Sequence, residues 1–552
     1  MKRITKSQAG FSILVFLTLL LMLSLLGINA ILVSTSEVDV AGYELNSAQS
    51  LNAAEAGLEK AAAEITSYYD KHGRPPDSLP TGQLELGNQV VTYSVDKPGV
   101  TQHKILEQGA YRGLYSLSDE YIITSTATSP GVKAQTTLTQ TLDAAVVPIY
   151  QFAVFYEGDL EIAPGPQMTL GGRVHSNNDM YLQADNSLKI DSYTTAAGNI
   201  YHGRSPLSGM STGYGDVLIK DAGGTYQNMD NGDGSWLDAN DADWVDESIS
   251  RWDGKVEDGD HGMTELELPV VTSGEPKDMI GRENGGSNPD SYEARCDLKL
   301  LDGQMYSLDS DSIWSNITAD MISAGVLSTT TFYDGREGKD VTSWDINLGA
   351  LGATEYWPES GIIYTACDVT SYDATRLVNG DELAGPLTVA SENPVYTLGD
   401  YNTVQKKPAS IMTDAYTVLS NNWDDGKSEW SLNNRQAGAT QVNAAYMTGN
   451  KPSGSGGGSN YSGGFENLPR FLENWSGKNF KWIGSAVDLW EAQQATGYWG
   501  GSYYSPPNRD WHFDLDFLDP TKLPPGTPLI SVVLKTGWSQ AIAFGEEVLD
   551  GE

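Results

Sequence analysis

The sequence predicts an α+β module, made of one long helix and a small antiparallel sheet, followed by a large all-β region that we interpret as a parallel β-solenoid. Three observations support this fold class. An apolar run continues without proline until Pro75, alternating segments occur within 84–145, and short apolar triplets separated by Gly, Asn and Asp recur after Pro148. The predicted divisions are a leader at 1–10, the helix at 11–70, the sheet at 71–147, and the β region at 148–552 with an acidic insert at about 205–345.

The helix is predicted from the apolar run Phe11–Val33 and the amphipathic segment behind it. At 1.5 Å per residue, a helix that continues to Tyr68 would be about 85 Å long. Its first part, about 23 residues, is long enough to cross a bilayer core of about 30 Å. The helix should end before Pro75 and Pro76, which have no N–H to donate. The predicted membrane residues include Phe11, Val15, Leu20, Leu26 and Val33.

The apolar run allows three interpretations. A secretory signal peptide would have a shorter apolar core followed by a small-residue cleavage site. A signal anchor fits the length, and the basic residues Lys2, Arg3 and Lys6 would keep the N-terminus in the cytoplasm. In the third interpretation, Gly10-Phe11 resembles the cleavage site of a prepilin leader, and cleavage there would leave the apolar helix in the mature protein.

The residues behind the apolar run favour the third interpretation. Glu37 is followed by the pair Ala41-Gly42 and by the block Ala-Ala-Glu-Ala-Gly-Leu at 53–58. In spacing and composition, this N-terminal region resembles PilX-type minor type IV pilins. The resemblance implies a pilin fold, anchoring in the inner membrane, and other pilins as partners of the helix. Major pilins carry Glu as the fifth mature residue, whereas this chain has Val15, which suits a low-copy subunit.

Apolar and small residues repeat every three or four positions from Val38 to Tyr68 and form one stripe along the predicted helix. Because many of them are alanine, another backbone could approach this face closely. The stripe is typical of a helix that lies on its own sheet and contacts neighbouring subunits on its other side. A simple seam between two helices is the alternative.

Past Pro148, short strand-like triplets such as Leu160–Ile162 and Met180–Leu182 recur about every six to ten residues, and the same pattern returns within 361–489. This spacing is typical of a solenoid, in which each coil buries its inward side chains on the next one. A large β-sandwich is the alternative. The proline-rich segment 503–526 is predicted to be an irregular strap over the solenoid. Two blocks are also similar to regions of large bacterial pilus-assembly-like proteins of unestablished role, at 399–423 and 463–487.

The chain of 552 residues carries a formal net charge of −39, although only 19% of its residues are charged. Such a field repels nucleic acid and anionic lipid headgroups, so we do not expect nucleic acid as a partner. The acidity favours solubility or, alternatively, calcium capture outside the cell. The two cysteines, Cys296 and Cys367, could form a single disulfide if the body is exported.

The strongest metal candidate is the acidic segment at 230–243. Calcium prefers six to eight oxygen ligands, which such a loop could supply. The segment does not follow the EF-hand spacing, so a solvated acidic loop is the alternative, and we expect no other cofactor. The predicted calcium ligands are Asp230, Asp233, Asp238 and Asp241.

We do not predict an enzyme, because the sequence has no nucleotide-binding, zinc or nucleophile-elbow motif. The rival hypothesis is a membrane-anchored enzyme that acts on polysaccharides with a pair of carboxyl groups. Turn capping is the alternative role for the acidic candidates, and core packing is the alternative for aromatic residues that could stack on sugars. The acidic candidates are Asp400, Asp414, Glu466, Glu473 and Asp488, and the aromatic ones are Trp423, Trp430, Trp475, Trp499 and Tyr503.

These observations predict a minor pilin or pilus-assembly subunit, anchored in the inner membrane by one helix, with its body in the periplasm or outside the cell. The large β region would serve tip assembly or adhesion to surface carbohydrate. A tip pseudopilin of a type II secretion system is the alternative within the same class.

Overall fold

The computed structural model contains one long N-terminal helix followed by a large, mostly β region with several sheets. It describes residues 9–72, 74–106, 111–129, 134–266, 274–283, 288–367, 372–454, 460–500 and 503–544. Residues 1–8 of the predicted leader therefore lie outside the described residues.

Helix α1 spans Ala9–His72, which confirms the long helix expected at 11–70. Its described side chains between Phe11 and Gln49 are exposed or half-buried, and burial begins at Ser50. The helix thus has a free first half and a packed second half.

The packed half of α1 lies on an antiparallel sheet. The sheet has the order β1-β2-β4-β5-β34, and β3 pairs with the outer part of β4. The strands are β1 (Thr81–Leu86), β2 (Gln89–Asp96), β3 (Gln102–Ile105), β4 (Tyr115–Thr128), β5 (Ala134–Pro148) and β34 (Leu529–Phe544). We call α1 and these strands the N-terminal module.

The core of the N-terminal module is formed by one face of α1 and the alternate residues of the central strands. Ala54, Leu58, Ala61 and Ile65 are buried against sheet residues such as Ile123. The small-residue stripe predicted for α1 is therefore confirmed over its second half. Its first half stays exposed, because the sheet does not extend that far along the helix.

The last strand, β34, comes from the C-terminal end of the chain and pairs along the whole of β5. The division into a sheet at 71–147 and a β region at 148–552 stays a prediction. The strand pairing differs from it at the C-terminal end, because β34 belongs to the sheet of the N-terminal module. Sequence periodicity could not place β34, because its partner lies almost 400 residues earlier in the chain.

Residues 149–528, which we call the body, are inserted between β5 and β34. The chain leaves the sheet at Pro148 and returns at Leu529, and the Ile149 N–H donates to the Pro528 carbonyl at 3.0 Å. Gln151 also bonds both the N–H and the carbonyl of Tyr115 in β4, at 2.9 and 2.7 Å. The body is thus attached to the module through two adjacent strands and additional bonds beside them.

The body consists mainly of short strands with a few short helices. The helices are α2 (Trp244–Trp252), α3 (Tyr292–Arg295), α4 (Thr318–Ser323) and α5 (Leu348–Gly352). The strands of its first part are β6 (Phe152–Tyr156), β7 (Leu160–Ile162), β8 (Met168–Leu170), β9 (Arg173–Ser176), β10 (Met180–Leu182), β11 (Ser187–Ile190), β12 (Thr194–Ala196), β13 (Ile200–His202), β14 (Asp216–Lys220), β15 (Tyr226–Asn228) and β16 (Val256–Glu257).

The second part of the body contains longer strands as well. They are β17 (Leu298–Leu301), β18 (Gln304–Leu308), β19 (Trp314–Asn316), β20 (Leu327–Asp334), β21 (Lys339–Asn347), β22 (Ile362–Ala366), β23 (Asp373–Glu382), β24 (Leu387–Ser391), β25 (Val395–Val404), β26 (Ala409–Thr413), β27 (Tyr416–Leu419), β28 (Thr440–Asn443), β29 (Ala445–Thr448), β30 (Arg470–Phe471), β31 (Asn479–Gly484), β32 (Ala486–Asp488) and β33 (Asn508–Phe513). The acidic insert expected at 205–345 therefore contains regular elements, and the predicted strap at 503–526 contains β33.

Most strands of the body pair in parallel ladders. In one ladder, Leu160, Met180 and Ile200 are register partners 20 residues apart, and all three are fully buried. Each strand therefore stacks its inward side chain on the equivalent side chain of the preceding one, which buries apolar area continuously along the ladder.

One sheet connects the two parts of the body. Its order is β16-β12-β9-β6-β32-β29-β26-β24-β22-β17-β18-β19, so β6, the first strand of the body, lies in the interior of the sheet beside β32. From β6 the chain adds strands outward to β16 at one edge of the sheet. It then crosses to the opposite edge and adds strands inward until β32 pairs with β6. A second ladder runs β20-β21-β23-β25-β28-β31-β33.

The two cysteines are both buried and free. Cys296 precedes β17 and Cys367 follows β22, and these strands pair in parallel with Leu298 opposite Ile363. The cysteines therefore lie at opposite ends of the strand pair, about 20 Å apart at 3.3 Å per residue. A disulfide needs Cα atoms about 4.4–6.8 Å apart, so the pairing considered from the sequence is not formed.

Candidate functional site

The most prominent surface of the N-terminal module is the apolar first half of α1. Among the described residues, one helix is long and apolar enough to cross a membrane, and it contains this segment. Phe11 is 74% exposed, Leu26 is 65% exposed, and Leu20 and Val33 are exposed to a similar degree. So large an apolar area needs a partner other than water, which a bilayer or the helices of other subunits would provide.

The predicted cleavage site lies at the start of this surface. Gly10 and Phe11 belong to the first turn of α1, while most of the leader lies outside the described residues, so cleavage stays a prediction. Val15, at the position where major pilins carry Glu, is 41% exposed on the same apolar helix. Between Phe11 and Val33 the sequence contains no acidic residue, so this run offers apolar contacts and no carboxylate.

Gly57 marks the closest approach between α1 and the sheet. A Cβ atom at this position would lie 2.2 Å from the Ser125 Oγ atom and 2.7 Å from the Val91 Cγ1 atom. Only glycine allows the helix to lie this close. Gly42 is the other glycine of the segment that resembles minor pilins, and a Cβ atom there would have no neighbour within 4 Å. The block at 53–58 is therefore explained by packing, whereas Ala41-Gly42 is free for contacts with other molecules.

A buried polar cluster fixes the C-terminal end of α1 to β4. The Tyr69 hydroxyl donates to Asp119 at 2.6 Å, and Lys97 pairs with the same carboxylate at 2.7 Å. Burial alone would raise the pKa of Asp119, but the bonds from Lys97, Tyr69 and Thr101 outweigh it and lower the pKa. Asp119 is therefore held as a paired carboxylate, and it fixes the helix relative to the sheet.

The four predicted calcium ligands lie near one another in sequence, but the structure does not gather them into one site. Asp230 accepts from the Gly232 N–H at 2.7 Å and Asp233 from the Ser235 N–H at 2.9 Å, as in ordinary tight turns. Asp238 and Asp241 are neighbours, since the Asp238 N–H donates to the Asp241 carboxylate at 3.1 Å. Within the described parts of the chain, no group of three or more His, Cys, Asp or Glu side chains is arranged to hold a metal ion.

The acidic residues considered for catalysis mostly bond backbone groups. Asp414 accepts from the Lys277 ammonium at 2.8 Å and from three successive N–H groups at 493–495. Asp400 accepts from the Gln441 N–H at 2.8 Å, and Glu466 from the Ala163 N–H at 3.3 Å. These contacts connect segments of the body that are far apart in sequence.

Glu473 is a buried carboxyl group whose pKa is clearly raised. It is 1% exposed and accepts from both the N–H and the hydroxyl of Ser420, each at 2.7 Å. Burial raises its pKa to about 7, although the two bonds from Ser420 act in the opposite direction. Glu473 therefore links the segment after β30 to Ser420, directly after β27, and the contribution of this link to stability depends on pH.

The aromatic candidates differ in exposure. Trp475 and Tyr503 are buried in the cores of the body, and Trp423 and Trp499 are half-buried. Trp430 is 51% exposed and lies beneath the Lys427 ammonium, 5.8 Å from the ring centre. The structure therefore does not bring the five side chains together as one stacking surface.

A concave site lies elsewhere on the body, and it was not predicted from the sequence. This cavity of about 710 Å³, which we call the acidic groove, is formed by the loop after β6, the end of β32, and the segments around 276, 451 and 463. Its lining includes Tyr156, Glu157, Asp159, Glu161, Asp488 and Glu491. Of the sequence candidates, only Asp488 lies in it.

Burial is the main cause of the raised pKa values of the groove carboxyl groups. Burial raises the pKa of Asp488 well above its ordinary value, and the nearby Glu157 raises it further. Burial also raises the pKa of Glu157, and that of Asp159 is raised by burial and by the neighbouring Asp179. The groove thus brings together carboxyl groups whose charged forms are disfavoured by burial, so a bound cation would stabilise those charged forms.

A signal for the groove does exist in the sequence. Glu157, Asp159 and Glu161 follow β6 at alternate positions, directly after an unbroken apolar strand. However, Asp488 joins them only because β32 pairs with β6, across more than 300 residues. That pairing could not be deduced from local periodicity.

Comparisons with known proteins give little further information. No family model matches the sequence, and no curated protein matches it significantly. Among solved structures, the competence-associated pilin ComZ from Thermus thermophilus is similar at 11% identity, with 90% of this chain and 98% of that chain covered and a TM-score of 0.26. A TM-score this low carries no inference about fold or function.

Proposed function

We propose that this protein is a minor pilin or pilin-like subunit at the end of a type IV pilus-type filament, anchored in the inner membrane before assembly. The observation that carries the proposal is the division of α1. Its apolar first half is free, and its second half packs through small residues on an antiparallel sheet. This division suits a helix that first lies in a bilayer and then packs among the helices of other subunits.

The position of the body supports a terminal location. Ser50 of α1 bonds Gln89 at one end of the sheet, and Tyr69 bonds Asp119 at the other end. The body is attached near this second end, because Val146 of β5 pairs with Leu117. It is therefore carried on the side of the sheet furthest from the apolar run.

A body in this position limits assembly. From Val33 to Tyr69 the helix rises about 54 Å at 1.5 Å per residue, so the body sits well away from the membrane surface. There it would occupy the space above the module into which a further subunit would have to pack. A terminal subunit has no such neighbour, so we assign this protein to the filament tip of a pilus or of a secretion pseudopilus.

We further propose that the body is a parallel β-solenoid. The ladder at Leu160, Met180 and Ile200, with its constant 20-residue spacing, supports this interpretation. Solenoid coils stack into a stiff, elongated surface, which suits a display domain. Adhesion to surface carbohydrate would be the corresponding role of the body.

N-terminal sequencing of the membrane-extracted protein tests the proposal. In cells with a working prepilin peptidase, the mature chain should begin at Phe11. A chain that begins after Val33, or that keeps Met1, would overturn the proposal.

A pair of double variants tests the role of the apolar half. Leu20→Arg with Leu23→Arg should remove the protein from the membrane fraction, because each arginine near the centre of a spanning helix costs about 2.5–3.5 kcal/mol. Val38→Arg with Leu45→Arg is the matched control, since both side chains are exposed on α1 beyond the apolar run. Equal membrane association of the two double variants would contradict insertion of Phe11–Val33.

A further inference from the structure

We propose that the acidic groove binds a glycan that carries protonated amino groups, such as a deacetylated amino-sugar polymer. The proposal deepens the adhesive role given to the body, since it names the chemistry of the carbohydrate. It rests on the charge balance of the groove, on a buried hydroxyl without a partner, and on the size and polarity of the lining.

Lys277, the basic residue among the described residues of the lining, and the nearby Arg204 are already paired with carboxylates. The Lys277 ammonium bonds Asp414 at 2.8 Å, and the Arg204 guanidinium bonds Glu161 at 3.0 Å. Within the part of the chain that the structure describes, the exposed carboxyl groups of Glu157, Asp159 and Glu491 in the lining form no ion pair with a basic side chain. A cationic ligand would supply the missing positive charge, whereas a uronic-acid polymer would be repelled.

Tyr156 provides the second observation. Its side chain is 4% exposed, and its hydroxyl has no hydrogen-bond partner among the described residues. Tyr156 lines the groove, and the charge that acts most strongly on its hydroxyl is that of Asp488, which lines the groove as well. A buried hydroxyl is normally bonded, so an amine or hydroxyl of a ligand in the groove would complete this site.

The lining favours a sugar over a basic peptide. Asn178, Asn450 and Ser453 lie in the wall together with the carboxyl groups, so the lining contains neutral hydrogen-bonding groups as well as acidic ones. Such a mixture suits a ligand rich in hydroxyl groups that also carries positive charge. A volume of about 710 Å³ lies within the range of small-ligand sites and admits a few sugar rings.

Calorimetric titration of the full chain in detergent tests the proposal with a glucosamine hexamer, its fully N-acetylated counterpart, a galacturonate oligomer and hexalysine. We expect the glucosamine hexamer to bind, the acetylated oligomer to bind at least tenfold more weakly, and the galacturonate oligomer not to bind. Added salt should weaken the interaction because it depends on charge. Failure of the glucosamine hexamer to bind, or tighter binding of hexalysine, would overturn the proposal.

Variants connect binding to the groove. Glu157→Gln should weaken binding of the glucosamine hexamer at least tenfold, and Glu359→Gln, which removes an exposed carboxylate outside the groove, should not change it. If Glu157→Gln does not fold, Glu491→Gln on the exposed rim makes the same test. Unchanged binding in the folded groove variant would refute the site. These measurements do not require leader cleavage or filament assembly, so their failure is distinct from failure of the proposed function.

Discussion

The N-terminal module and the body bury their sheets in different ways. The module covers one face of an antiparallel sheet with a single helix, and its fit depends on small residues around Gly57. In the body, parallel strands pair side by side in long ladders. Ionisable groups such as Glu473 and Asp414 are buried in the loops between these strands. The difference indicates that the stability of the module depends on the size of side chains near Gly57. The stability of the body depends on the charge of buried carboxyl groups such as Glu473.

The largest effect should come from removing β34, because the two regions share it. A chain that ends at Pro528 leaves β5 without its neighbour and loses the buried side chains of Ile530 and Val532. We expect aggregation, or a melting temperature lower by more than about 10 °C, because a domain is stable by only about 5–15 kcal/mol. Circular dichroism of the detergent-extracted protein measures this.

The matched control ends at Phe544 and keeps all of β34. It should melt like the full chain. If the chain that ends at Pro528 were equally stable, the module would be independent of the C-terminal strand, and the contrast between the two regions would have to be restated as one between separate domains.

The second effect concerns shape. Gly57→Ala should destabilise the protein by about 1–3 kcal/mol, since the new methyl group would overlap Ser125 and Val91. Gly42→Ala, on the free part of the same helix, should have no such cost and should favour the helix by up to about 1 kcal/mol. Thermal unfolding of both variants measures the difference. Equal effects would show that α1 does not pack on the sheet at Gly57.

The last effect, which appears only as a change with pH, concerns charge in the body. Because the pKa of Glu473 is about 7 in the folded protein against an ordinary 4.5, folded chains keep a proton that unfolded chains release between these values. Stability should therefore fall as pH rises from 4.5 to 7, with a contribution from this group of up to about 3 kcal/mol. Glu473→Gln cannot titrate, so the stability advantage of the wild type over this variant should shrink by about that amount across the range.

Denaturant unfolding at several pH values between 4.5 and 8 measures this dependence. Glu359→Gln, at an exposed position, is the control and should follow the wild-type curve. An advantage of the wild type over Glu473→Gln that is constant with pH would show that Glu473 is already ionised in the folded protein at pH 4.5. Ionisation of a buried carboxyl group such as Glu473 would then cost no more stability than ionisation of a surface carboxyl group.

The local elements could be predicted well from the sequence. The absence of proline before Pro75 gave the length of α1, and the triplets Leu160–Ile162 and Met180–Leu182 are strands with the predicted bounds. These elements follow from periodicity within a few residues. The small residues at 53–58 likewise indicated the face of α1 that packs closely.

Long-range pairing could not be predicted in the same way. Neither the return of β34 to β5 nor the pairing of β32 with β6 leaves a local signal, because a parallel or antiparallel partner can lie at any distance along the chain. The acidic groove depends on the second pairing, so only Asp488 of its carboxyl groups was singled out beforehand. The metal candidates failed to gather for a related reason, since closeness in sequence does not make carboxylates converge.

The two-strand attachment of the body determines how a pulling force would enter the module. Tension on the body would act along β5 and β34 together, so their hydrogen bonds would be sheared side by side instead of opening one after another. The load on β5 continues along the covalent backbone into β4, while β34 passes its share on through its bonds to β5 and through contacts with α1, such as that between Lys535 and Glu59. Such a joint resists traction, which a tip that holds a surface against a retracting fibre would experience.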